Sequence, residues 1–190
     1  MSTHLETEYK ILLPKKVYDK MYVDLQCESL TPLVQVNEYF VDHQNILREK
    51  RYSLRVRHLN GTHELTLKKP KGFSKMEFNQ MLSDDEYEMF KNHIAFPSIV
   101  LEQMQEIGID ILDINAITSL ETIRYEIPHL KGLLCLDANT YGNKKDYELE
   151  YEVEDPDTGK LDFIEFISLY GLTYQSNAKG KVARALKEVQ

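Results

Sequence analysis

The chain contains no tryptophan, only two cysteines, six prolines and eight glycines in 190 residues. Cys27 and Cys135 are too few for a disulfide framework, and no C-x-x-C spacing marks a zinc site. A reduced, cytoplasmic setting is the economical inference. The prolines and glycines are scattered, so no flexible linker or low-complexity tract divides the chain, and residues 1–190 read as one domain. No apolar run approaches the ~20 residues needed to span a bilayer. The first residues lack the basic-then-apolar pattern of a signal peptide. Positive charge is also short: 23 Lys and Arg against 31 Asp and Glu leave a formal charge of −8. That balance argues against a nucleic acid polymer as partner, which calls for a net cationic surface, but it leaves room for a local basic pocket.

What the chain does have is apolar content, 42%, dispersed in short alternating runs. His4–Leu13, Leu33–Asp42, Tyr52–Leu59, Thr62–Lys69 and Ser74–Met81 read as strands, as do Thr118–Ile127, Leu130–Asn139 and Asp146–Glu154. Asn60-Gly61 between two of them is a strong hairpin signal. Helices are expected from Pro14 to about Gln26 and from Ser83, which opens a Ser-Asp-Asp-Glu capping box, to about Ile94. Further helices are expected from Pro97 to Gly108, over Asp157–Tyr170 with Gly171 as the stop, and over Ala178–Val189. The fold class expected is α+β: an eight-stranded antiparallel closed β-barrel, a tunnel, with helices packed on the outside.

The polar faces of these strands carry an unusual pattern. Glu6, Glu8 and Lys10 share one face, opposite Leu5, Tyr9 and Ile11. Arg55 and Arg57 oppose Leu54 and Val56, and Glu64, Thr66 and Lys68 oppose Leu65 and Leu67. Lys75, Glu77 and Asn79 oppose Met76 and Phe78; Thr122 and Arg124 oppose Ile123 and Tyr125; Glu148, Glu150 and Glu152 oppose Tyr147, Leu149 and Tyr151. Carboxylates at i, i+2 and i+4 repel one another unless a cation stands among them. The pattern therefore predicts an inverted barrel, with its apolar face against the helices and its charged face around an interior space. A polyphosphate chain needs stacked guanidinium and ammonium groups, and its cleavage needs a divalent ion held by oxygen ligands. Magnesium or manganese suits an all-oxygen site better than zinc. The six histidines, at 4, 43, 58, 63, 93 and 129, are dispersed in sequence and read as non-catalytic. Cys27 and Cys135 read as buried, inert thiols.

Glu6-Thr-Glu8-Tyr-Lys10 resembles the E-x-E-x-K opening of the CYTH domains, also called triphosphate tunnel metalloenzymes. The order that follows is similar to that family too: Tyr39-Phe-Val-Asp42, Leu54-Arg55-Val-Arg57, Thr66-Leu-Lys68-Lys-Pro70, Ile123-Arg124-Tyr-Glu-Ile-Pro128, Leu136-Asp137 and Tyr147-Glu148-Leu-Glu150. The resemblance implies metal ligation by Glu6, Glu8, Glu148 and Glu150, with Glu152 or Asp137 as a further carboxylate. It implies triphosphate binding by Lys10, Arg55, Arg57, Lys68 and Arg124. Lys181 resembles a C-terminal lysine that reaches the tunnel, with Lys179 as the rival alignment. Glu148, Glu150 and Lys10 are the catalytic candidates. Lys75-Met-Glu77-Phe-Asn79 departs from the basic-x-acidic-x-acidic pattern of some members. The implied activity is metal-dependent hydrolysis of inorganic triphosphate or a small organic triphosphate. A class IV type adenylate cyclase and a non-catalytic polyphosphate or nucleotide binder are the alternatives. The partner expected is a small-molecule triphosphate, with no membrane, in a monomer or homodimer.

Overall fold

The computed structural model describes residues 1–188. Nine strands form one antiparallel sheet: β1 (Ser2–Glu6), β2 (Glu8–Leu12), β3 (Leu33–Asp42), β4 (Ser53–Leu59), β5 (Thr62–Lys71), β6 (Ser74–Leu82), β7 (Ile114–His129), β8 (Gly132–Tyr141) and β9 (Lys144–Val153). Their order is β1-β6-β5-β4-β3-β7-β8-β9-β2. The helices are α1 (Lys15–Asp24), α2 (Ile46–Glu49), α3 (Asp84–Lys91), α4 (Ile99–Glu106), α5 (Pro156–Ser168) and α6 (Lys181–Ala185).

The sequence pattern predicts eight strands and nine form, because the N-terminal run changes partner at Thr7. Residues 2–6 pair with β6 and residues 8–12 with β9. The sheet's two edge strands are thus consecutive in the chain, which forces the sheet to curl. Among the described residues no ladder joins β1 to β2, so this is a curled nine-stranded sheet rather than a ring of eight hydrogen-bonded strands. The β4–β5 hairpin turns on Asn60 and Gly61, with φ of 51° and 76°, the left-handed pair that a two-residue turn demands. The capping box at Ser83 is present in full: its hydroxyl accepts from Glu86 N while the Glu86 carboxylate accepts from Ser83 N. The last helix is shorter than the expected Ala178–Val189; it begins at Lys181, after Gly180, and Val189 lies outside the described residues.

Apolar side chains lie on the outer face. Leu54, Val56, Leu65 and Leu67 of β4 and β5 pack with Phe90, Val100, Leu101 and Met104 from α3 and α4. On the other side Tyr9, Leu134, Leu136, Leu149 and Tyr151 pack with Met21 of α1 and Phe163 and Ile167 of α5. Alternation along each strand then leaves the charged residues no face but the inner one. They line a cavity of about 940 Å³.

Candidate active site

The inner wall divides by charge. On β4, Arg55 and Arg57 point into the cavity beside Lys68 of β5. β4 and β9 stand four places apart in the sheet order, so the curl sets this basic wall across from the acidic residues of β8 and β9. Arg55 is buried, makes no ion pair among the described residues, and its Nε has no hydrogen-bond acceptor. Thr66 Oγ1 and Asn79 Oδ1, next in register across β5 and β6, are unpartnered too. Arg57 reaches Asn37 Oδ1 at 3.4 Å and Glu64 at 3.8 Å. The Arg55 guanidinium beside it, with burial, pulls its pKa down to about 10. Two guanidiniums crowded enough to oppose each other's charge make a wall suited to an anion.

Across the cavity, Asp137, Glu148 and Glu150 bring carboxylate oxygens within 4.8 Å of one another. The β8–β9 register sets Asp137 opposite Glu148, and the period of two places Glu150 on the same face. Lys181 Nζ lies 2.8 Å from Asp137, 3.0 Å from Glu148 and 2.8 Å from Glu150. Arg124 holds Asp137 in a two-pronged contact of 2.9 and 2.8 Å, also contacts Glu150, and reaches Glu152 at 3.3 Å. Burial and neighbouring Glu150 push the Glu148 carboxyl up to about 7 despite Lys181. Burial works against ionisation of Glu150 as well, but Lys181, Arg124 and Lys10 together hold it well below the usual carboxylate range.

Glu6 and Glu8 stand apart from this cluster, each held by cations. Lys68 contacts both oxygens of Glu6, at 2.9 and 3.0 Å, and also pairs with Glu77. Lys10 lies 2.6 Å from Glu8 and 3.6 Å from Glu150. Lys75 contacts Glu8 and lies 3.5 Å from Glu6. The structure thus brings Asp137, Glu148, Glu150 and Lys181 together, with Arg124 against them, and Glu8 beside Glu150 through Lys10. Glu152 lines the same cavity, partly exposed. Lys179 lines it also, but Lys181 is the lysine seated against the acidic cluster.

Two positioning residues escaped sequence reasoning. Arg184 of α6 bonds Asp146 at 2.9 Å and contacts Glu148. Asn177 accepts from the Lys10 amide at 2.8 Å and donates to the Glu8 carbonyl at 2.9 Å, which fixes the segment leading to Lys181 against β2. Neither has a local sequence signal; both depend on contacts across the whole chain.

A donor set of buried carboxylate oxygens, without sulfur or imidazole, fits a hard divalent ion. The Lys181 ammonium contacts all three carboxylates, so such an ion would compete with Lys181 for them. The sequence profile of the CYTH domain matches residues 4–185. The chain belongs to the CYTH domain family. A Bacillus subtilis member, named "Putative triphosphatase YjbK", is 32% identical over 192 residues, covering 99% of this chain and 97% of its own. A crystal structure described as "a putative adenylate cyclase" of Bacillus halodurans superposes with a TM-score of 0.89 at 29% identity, covering 97% of this chain and 98% of that one. The Hippeastrum protein HpAC1, described as having a dominant triphosphatase activity, shares the fold at a TM-score of 0.78 and 20% identity, over 97% of both chains. The CYTH fold thus covers nearly the whole chain, and the cavity lies inside it.

Proposed function

We propose that this CYTH protein is a divalent-metal-dependent phosphoanhydride hydrolase acting on inorganic triphosphate or a small organic triphosphate. On this reading residues 2–12 complete a closed tunnel around the substrate. The observation that carries it is the wall of Arg55, which has no ion pair among the described residues, and Arg57, crowded against it, facing buried Asp137, Glu148 and Glu150. The guanidiniums, with Lys10, Lys68, Arg124 and Lys181, would meet successive phosphoryl oxygens and hold the chain in line. Glu6, Glu8, Glu148, Glu150 and Glu152, joined by Asp137, are the residues that would hold Mg2+ or Mn2+. When bound, that ion supplies charge neutralisation at the phosphoryl oxygens and acidifies water. A carboxylate oxygen of Glu148 or Glu150 takes the proton of the attacking water. Lys10, seated between Glu8 and Glu150, offers its ammonium to the leaving phosphate. The two cysteines, free and buried, fit the reduced cytoplasmic setting that belongs to this reading.

The test is a phosphate-release screen of tripolyphosphate, nucleoside triphosphates and thiamine triphosphate with Mg2+ and with Mn2+. Orthophosphate release dependent on the metal is expected. Cyclic AMP and pyrophosphate from ATP would assign a cyclase instead. Tight triphosphate binding without turnover across the metals would assign a non-catalytic binder.

A further inference from the structure

The Tyr39-Phe-Val-Asp42 motif has no part in the chemistry proposed above, yet it leads straight into α2 at the rim of the cavity. Asp42 ends β3 buried, and its carboxylate accepts from the amides of both Ile46 and Leu47 at 2.8 Å. That locks the start of α2. The other end closes on itself: the Tyr52 amide bonds the Leu47 carbonyl at 2.8 Å, and the Arg51 amide bonds the Arg48 carbonyl at 3.2 Å. This pair of bonds makes a Schellman closure, whose left-handed residue is ordinarily glycine. Here that residue is Arg51, at φ 57°. Leu47 and Tyr52 pack into the outer core, so α2 is fastened at both ends and along one side.

Arg48 and Arg51 are both exposed, and both line the cavity that holds Arg55. Unlike Arg57, which reaches Glu64 at 3.8 Å, neither makes an ion pair among the described residues. A bulky side chain in the left-handed region carries backbone strain that glycine would not. The strain keeps a free guanidinium at the rim. Arg51 stands four residues before Arg55, at most about 14 Å along the backbone. The cavity, at about 940 Å³, lies near the top of the ~300–1,000 Å³ range of small-molecule sites and is roomier than three phosphates need.

Resting on the reading of the cavity as a phosphate site, we propose that Arg48 and Arg51 form a further anion subsite, for the phosphates that follow the third in a linear inorganic polyphosphate. Their forked guanidiniums suit phosphoryl oxygens. An organic ring finds less to hold it beside α2. Phe40 is set edge-on against Phe90 with centroids 5.1 Å apart, Tyr39 packs with Ala185, and Tyr52 lies against the outer core. Those aromatic faces are already taken, whereas the free groups are cations. The tail that they take is therefore an anion, and Arg55 is an interior link of the basic series, not its end.

The experiment measures binding of tripolyphosphate, tetrapolyphosphate and ATP to the full chain by calorimetry without metal, so that no ligand is consumed. Tetrapolyphosphate should bind roughly tenfold more tightly than tripolyphosphate, and ATP no more tightly than tripolyphosphate. Arg51→Gly, which also relieves the left-handed strain, and Arg48→Gln should each cut the ratio of tetrapolyphosphate to tripolyphosphate affinity several-fold. Arg55→Ala should weaken both inorganic ligands alike. Equal affinity for the two inorganic chains, or a ratio indifferent to Arg51→Gly and Arg48→Gln, overturns the subsite. ATP binding more tightly than either inorganic chain gives the rim to an organic group and overturns it as well. Each of these results leaves the cavity a phosphate site; uptake of none of the three ligands removes that reading too.

Discussion

At the scale of single residues, the interior cations differ in whether a carboxylate already holds them. Lys68 is committed to Glu6 and Glu77, whereas Arg55 is buried with no ion pair among the described residues. Deleting a partnered buried charge leaves its counter-charge exposed to a low-dielectric interior, but deleting an unpartnered one removes a desolvation cost. Arg55→Ala should therefore lower the melting temperature less than loss of Lys68 does, since only its attraction to Glu77 is lost, while phosphate release falls on the order of 10²-fold, as for loss of one oxyanion donor. Lys68→Ala should lower both. Thermal melts beside turnover separate the two patterns. Glu77 supplies a pH test. Burial opposes its ionisation, but Lys68 and Arg55 outweigh burial and hold its pKa at about 2 against an ordinary 4.5. A carboxyl depressed in the fold contributes stability above its unfolded pKa and loses that contribution as pH falls towards the folded one. The contribution is on the order of 3 kcal/mol at neutral pH. The stability gap between the unmodified chain and Glu77→Gln, measured by denaturant titration, should shrink by more than half between pH 7 and pH 3.

At the scale of elements, α6 is the part whose role exceeds its length. It spans five residues, yet Ala185 packs fully buried with Tyr39, Leu120 and Tyr141, and Lys181 enters the acidic cluster. On the proposed reading a divalent ion takes the carboxylates that the ammonium holds, so Lys181→Gln should tighten Mg2+ binding while lowering the stability of the metal-free chain. Calorimetric titration and metal-free melts check both halves; unchanged Mg2+ affinity counts against competition. This element also marks how far the sequence is legible. Short-range signals give the hairpin at Asn60-Gly61 and the box at Ser83, since their geometry is settled within a few residues. Alternation gives the charged inner face of β4, β5 and β9, since a strand offers only two faces. Asp137 beside Glu148 follows from the β8–β9 register, which the two-residue turn at Gly142-Asn143 sets. Arg184 against Asp146 depends on where a C-terminal segment docks, and no local pattern encodes that. The same turn at Asn60-Gly61 sets His58 directly opposite His63, although the six histidines read as dispersed in the linear sequence.

For the whole molecule, the decisive contacts join the two ends of the chain. The N-terminal segment supplies both edges of the sheet, and β2 would present a bare edge had Asn177 and Ala178 not covered it. Asn177 accepts from the Lys10 amide and donates to the Glu8 carbonyl, and the Ala178 amide bonds the Lys10 carbonyl at 3.1 Å. Tyr174 adds its hydroxyl to the same Asn177 oxygen at 3.0 Å. An exposed edge strand invites pairing with another chain, so this covering also guards against association. Asn177→Ala strips the side-chain partners from two backbone groups of β2, each costing about 1–3 kcal/mol where water does not reach. It also frees the segment that carries Lys181, by way of Gly180, into the cavity. The variant should unfold at lower denaturant, should be cleaved first after residue 170 in limited proteolysis, and should lose triphosphate affinity without any change to a cavity residue. Normal affinity in a destabilised Asn177→Ala protein would mean that Lys181 finds the acidic cluster unaided, and that the join between the chain's ends serves stability alone.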